Sequence, residues 1–234
     1  MTRFVRSLVL ALAVPALVAC GGSTPAPEAT PEASEPVSEA TPEAPAAEEV
    51  KPFSVVLDAA TSTVEWKSIK NGDAPVNGKL TKPTGGLWLT AADLSATRGD
   101  LQFDLSGVDS GLELRDQRIA EVFFGATADN SATGQVSLTK LTPEAATLEP
   151  GGSTPATADL TVKAKDAEAT VQAKVTVTRT DANTWTVVSA EDATVSIKSL
   201  GLDEPLDALM KLCAHKSVDD AVGIAVNLTF KAAE

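Results

Sequence analysis

The chain has 234 residues, of which 43% are hydrophobic but only 4% aromatic, with no Tyr, so Val and Ala must supply much of any core. A formal net charge of −13, with no Lys/Arg cluster to offset it, argues against a surface for nucleic-acid phosphates. Two cysteines are too few for a disulfide framework.

Residues 1–20 have the pattern of a bacterial lipoprotein signal. Arg3 and Arg6 form a positive start, and residues 8–18 form an apolar stretch too short to span a bilayer comfortably. Leu17-Val-Ala-Cys20 has the form of a lipobox: a branched apolar residue, a small residue before the cysteine, then Cys20. The thiol of Cys20 would carry a diacylglyceryl thioether, and cleavage would leave Cys20 as the acylated first residue. Several acyl chains anchor stably where a single one is marginal. The plainer alternative is a secretory leader with a chance cysteine.

Residues 21–52 read as a disordered tether. Thr, Pro, Ala, Glu and Ser dominate, and seven Glu stand against one Lys. With only two Val as large apolar residues, the stretch cannot bury a core. Self-repulsion and proline extend it, to a limit on the order of 100 Å. Gly21, in place of an Asp after the lipidated cysteine, favours the periplasmic side of the outer membrane in a two-membrane bacterium.

Residues 53–234 switch to a period of two, the signature of half-buried strands. Val64, Trp66 and Ser68 alternate with charged or exposed neighbours, and Asn71-Gly72-Asp73 marks a turn. Val76, Gly78 and Leu80 alternate next, and residues 87–90 resume after a Pro/Gly break. Leu101, Phe103 and Leu105 give the cleanest inside/outside pattern of the first half.

Residues 112–124 break the period. Ile119, Val122 and Phe123 fall at i, i+3 and i+4 of a helix, and Arg115 and Arg118 lie one turn before two of them. The adjacent Phe123 and Phe124 cannot both lie on one flat surface, so a short helix plugged into a β architecture is expected. Residues 136–138 return to a strand. Residues 142–157, rich in Pro, Gly and Thr, read as a long loop, a lid or an insertion. Leu160, Val162 and Ala164 form another strand, and residues 166–169 the turn after it. Val171, Ala173, Val175 and Val177 follow, then residues 185–189 and the pair Val195 and Ile197. Residues 203–213 are helical, with Leu206, Leu209 and Met210 on one face, and Val222, Ile224, Val226, Leu228 and Phe230 close the chain.

About eight sequential strands with polar outer faces predict an all-β fold with short helices: an antiparallel eight-stranded barrel preceded by the tether. Such a barrel is either filled by side chains or holds one small ligand. The periodicity leaves both open.

The order of motifs resembles the YceI-like family of bacterial lipid- or polyisoprenoid-binding proteins over roughly residues 53–231. Phe53-Ser-Val-Val-Leu-Asp58 with Ser62-Thr-Val-Glu-Trp66 resembles the family's first strands, and Gly78 the glycine after its first hairpin. Arg115-Asp116, Ile119 and Val122-Phe-Phe124 resemble its Arg-Asp-x-His-Leu…Phe-Phe segment, and Leu160-Thr-Val162 its Leu-Thr-Leu strand. The chain departs from the pattern at Arg118, where the family has His, and at Gly125, where it has Asp. An aromatic-Pro…Phe element is also missing between Ala126 and Val136. The resemblance implies a lipocalin-like barrel with an elongated apolar cavity for a polyprenyl or similar lipid.

The candidate cavity-lining residues are Trp66, Leu101, Phe103, Leu105, Phe123, Phe124, Val175 and Ile224. Arg115 and Asp116 are candidates for entrance or structural ion pairs, each with a separate partner, since adjacent helical side chains diverge by about 100°. Cys213 and His215 are the nearest approach to a catalytic pair, two residues apart, and too few for a metal site. Cys213, beside Leu209, Met210 and Leu212, reads as a buried thiol. Lys163, Lys165 and Lys174 read as solvated strand faces. The expectation is a lipid-anchored binding protein of the cell envelope, not an enzyme, with an apolar lipid or isoprenoid as ligand. No cofactor, metal or nucleic-acid partner is expected. The alternative is a structural or interaction lipoprotein whose barrel is filled.

Overall fold

The computed structural model describes residues 53–127 and 130–233. The signal, Cys20 and the tether at 21–52 lie outside the described residues.

In chain order the strands begin with β1 (Val55–Leu57), β2 (Thr63–Lys70), β3 (Ala74–Leu80), β4 (Thr84–Trp88), β5 (Arg98–Asp104) and the short β6 (Val108–Asp109). Helix α1 (Glu113–Arg118) runs directly into a π-helical turn, Ile119–Phe124. β7 (Thr133–Pro143), β8 (Ser153–Ala164), β9 (Ala167–Arg179), β10 (Thr184–Ser189) and β11 (Ala193–Ser196) follow, then α2 (Asp203–Cys213) and β12 (Ala221–Ala232).

These strands make eight staves, because β1 with β2, β3 with β4, β5 with β6, and β10 with β11 are successive parts of broken staves. β12 closes the ring. Its residues 223–227 pair with β2 and its residues 230–232 with β1, while its other side pairs with β10 and β11. β1 pairs onward to β4, β4 to β5, and β5 to β7, β8 and β9 in sequence, all antiparallel. A closed ring removes the exposed edges that an open sheet would carry.

Local chemistry places the breaks. Lys82 takes a left-handed φ of 53° just before Pro83, which ends β3. Asp58 accepts from the backbone N–H of Ala60, which turns the chain out of β1. Asn71 and Gly72, both at positive φ, make the β2–β3 turn as expected.

Two expectations are corrected. Residues 142–157 are not one long loop: β7 runs to Pro143 and β8 starts at Ser153, with Pro143 opposite Ala156. The strand carries Thr154, Ala156 and Ala158 at its buried positions, and their small or polar side chains hid the alternation. The turn after β8 also comes earlier than expected, at Lys165-Asp166, since Ala164 already pairs with Ala167.

The barrel ends differ. At one end, the 3-10 turn Leu94–Ala96 lies against β7, and Leu94, Leu141, Trp185 and Phe230 are buried there in the main core cluster. At the other end lie α1, the π-turn and α2. Leu206 is buried with Ile197, Leu200 and Leu202, and Phe123, Phe124 and Met210 pack against them. Asp203 and Glu204 occupy the first turn of α2 and Lys211 the last, which suits the helix dipole.

Candidate ligand cavity

The interior of the barrel is not filled. A cavity of about 400 Å³ runs inside it, in the range of sites for small molecules. The cause is side-chain size. An eight-stranded barrel is just wide enough for large side chains to fill, whereas Gly134, Val136, Val162, Ala164 and Ala173 line this one. The filled-barrel alternative required an interior without such a void.

Trp66, Leu101, Phe103 and Leu105 line the cavity, as do Phe123, Phe124, Val175 and Ile224. Phe103, Leu105 and Val175 are also buried members of the core, while Trp66, Leu101, Phe123, Phe124 and Ile224 are half-buried. Trp66 lies opposite Gly78 on β3, and a Cβ on Gly78 would come within 2.4 Å of the indole. Glycine there lets the indole lie flat across the neighbouring strand. This gives a physical reason for a position that the motif comparison had marked.

The helical segment differs from a plain α-helix. The π-turn has five-residue spacing, which brings Ile119 and Phe124 to the cavity together with Phe123, whereas Val122 is not part of the lining. Both phenylalanines reach the cavity because the wall is concave and their rings tilt by 59°, with centroids 4.8 Å apart. Gly125 ends the turn at φ +73°, a left-handed cap that favours glycine.

Arg115 and Asp116 do not find separate partners. Arg115 donates from Nε to Ser110 Oγ at 2.6 Å and from Nη2 to the Ser110 carbonyl at 2.7 Å. Asp116 Oδ1 accepts from the Ser110 backbone N–H at 2.9 Å and from the Ser110 hydroxyl. Serine Oγ can accept one bond and donate another, so one residue ties both side chains down. Neither takes part in an ion pair among the described residues. Arg115 lines the cavity, while Asp116 lines a separate groove with Val108, Leu112 and Ala120.

Cys213 and His215 also line the cavity, both half-buried. Arg118 donates from Nη1 to Cys213 Sγ at 3.6 Å. Burial, and then the nearby Lys70 ammonium, push the His215 imidazole below its usual pKa. Among the described residues, no three His, Cys, Asp or Glu side chains cluster as metal ligands would.

Sequence reasoning missed Lys70. It ends the inward-facing series Val64, Trp66, Ser68, Lys70 of β2, so continuing that alternation by one step would have found it. Lys163 was read as a solvated face. It is exposed, but at the cavity rim, paired across strands with Gln135.

A closed antiparallel barrel that retains an apolar space belongs to the class of barrels able to hold one small ligand. Residues 56–230 match the model of the YceI-like domain, and the chain belongs to that family. A polyisoprenoid-binding domain from Saccharophagus degradans, implicated in plant cell wall breakdown, superposes with a TM-score of 0.64. The two are 18% identical, over 77% of this chain and 99% of that domain. BcnA from Burkholderia cenocepacia has a TM-score of 0.56 at 20% identity, over 74% and 98% of the two chains. The YCEI protein of Campylobacter jejuni has a TM-score of 0.52 at 9% identity, over 68% and 86%. At these identities the shared property is the fold. A search of curated proteins finds no match.

Proposed function

We propose that this protein is a lipid-anchored carrier that holds one long apolar lipid, polyisoprenoid-like, inside its barrel. The observation that carries the reading is the apolar cavity of about 400 Å³. Burial of a tail there removes methylenes from water at roughly 0.8 kcal/mol each, so the tail supplies most of the affinity. The polyisoprenoid-binding domain from Saccharophagus degradans, built on the same fold, supports this ligand class. Acyl chains on Cys20 hold the protein to the cell envelope, on the periplasmic side of the outer membrane. Binding, with no catalytic step, completes the function.

Native mass spectrometry and organic extraction of the purified full chain test this reading. About one lipid per chain is expected, and Val136→Phe, which narrows the cavity, should reduce lipid uptake at least roughly tenfold. Recovery of no lipid, together with no binding of added isoprenoid alcohols, would refute it. The anchor has its own test: Cys20→Ser should move the protein from the membrane fraction to the soluble one, and unchanged partition would remove the lipidation.

A further inference from the structure

The charges around the cavity are one-sided. The chain has 32 Asp and Glu against 19 Lys and Arg, yet every charged residue lining the cavity is basic: Lys70, Arg115, Arg118 and, at the rim, Lys163. Strand direction puts them at one end. Lys70 ends β2 and Lys163 lies next to the end of β8, while α1 and α2, joined by the Arg118–Cys213 bond, lie at that same end.

Among the described residues, none of these cations takes part in an ion pair. Lys67, Lys79, Lys174 and Lys231, which do not line the cavity, each pair with a carboxylate at 2.6–3.5 Å. Among the described residues, no carboxylate lies within 4 Å of Lys70, Arg115 or Arg118 in such a pair. Among the described residues, Arg118 has only the thiol of Cys213 as a side-chain hydrogen-bond partner, and sulfur is a weak acceptor. Ser110 holds Arg115 through Nε and Nη2, which fixes the guanidinium and leaves Nη1 available. A half-buried cation without an anion bears a desolvation cost that a charged ligand would offset.

We propose that the lipid carries an anionic head group, a carboxylate or a phosphate ester, seated by Lys70, Arg115 and Arg118 while its tail occupies the apolar cavity. The proposal rests on the lipid-binding reading and adds the charge of the head. The negative exterior does not oppose it, because low-dielectric walls focus the local field of the cationic end. His215, neutral beside Lys70, adds a hydrogen-bonding group there without adding a carboxylate.

The test is displacement of the neutral probe N-phenyl-1-naphthylamine from the full chain at pH 8. The competitors are hexadecanoate, hexadecyl phosphate, hexadecan-1-ol and inorganic phosphate. At least one of the two anionic amphiphiles should displace the probe at about tenfold lower concentration than the alcohol, the effect of one charge-assisted hydrogen bond. The better of the two identifies the head as a carboxylate or a phosphate. Arg118→Gln and, independently, Lys70→Gln should shrink that preference, and Arg118→Lys should retain most of it. Equal displacement by alcohol and anions overturns the charged head and leaves lipid binding standing. Inorganic phosphate competing as well as hexadecyl phosphate overturns the joint head-and-tail site. Displacement by none of the tailed compounds overturns the lipid-binding reading itself.

Discussion

The two ends of the barrel are built from the same staves but are finished differently. At the end under Leu94, aromatic and branched side chains meet across the interior: Leu94 is 0% exposed, Phe230 1% and Trp185 3%. At the helical end, Leu206, Ile197, Leu200 and Leu202 are buried too, but half-buried Lys70, Arg115, Arg118 and His215 stand among half-buried Phe123, Phe124 and Ile224. The strands set the diameter at both ends alike. Side-chain volume then decides how deeply each end is buried, although residues of both ends line the cavity, and α1 together with the end of β2 decides which end carries charge.

Truncation of a large side chain at each end breaks or sharpens this contrast most directly. Phe230→Ala should destabilise the fold by about 3–5 kcal/mol in denaturant titrations, because it removes a fully buried ring from the core and enlarges the cavity that it lines. Phe123→Ala removes a ring that is only half-buried and should cost roughly 1–2 kcal/mol less. Equal losses would mean that the helical end is packed as tightly as the other.

A smaller effect is expected between the two ends. Gly78→Ala forces a Cβ into the Trp66 indole and should cost about 1–3 kcal/mol through overpacking. It should also shift the tryptophan emission. A silent substitution would show that the indole is free to move into the cavity.

The smallest effect is a pH dependence specific to the helical end. His215 has a folded pKa below its usual value of 6.5, so the unfolded chain binds that proton more readily. Its effect is absent well above pH 6.5. Stability is lost as pH falls through 6.5 toward the folded value, with no further loss below that value. His215→Gln should flatten this slope in denaturation midpoints. As the only histidine of the chain, His215 also reports its own titration by NMR. Identical slopes for the two proteins would place the imidazole in water.

Much of the barrel was legible because inside/outside alternation is a local signal. Leu101, Phe103 and Leu105, or Val171 to Val177, announce a half-buried strand with no knowledge of the neighbours. The helices were legible for the same reason, from apolar spacing at residues 112–124 and 206–210. β8 was hidden where its inward residues are Ala156 and Ala158, because a small side chain gives no hydrophobic signal even when it is buried. The π-turn was hidden too, since one added residue per turn changes which side chains face inward without changing the composition.

By itself, the sequence determined an eight-stave antiparallel barrel, a helical plug, and a resemblance strong enough in its order to place the family. Each of these is written in periods of two or of three to four residues along the chain. Only the tertiary structure decided that the barrel is hollow, since a void is the difference between the ring's volume and the side chains of many distant strands. It alone also brought Lys70 from β2 to the same end as Arg118 of α1 and Cys213 of α2, and tied Arg115 and Asp116 to a single serine. Those meetings depend on ring closure, which brings β12 back onto β1 and β2.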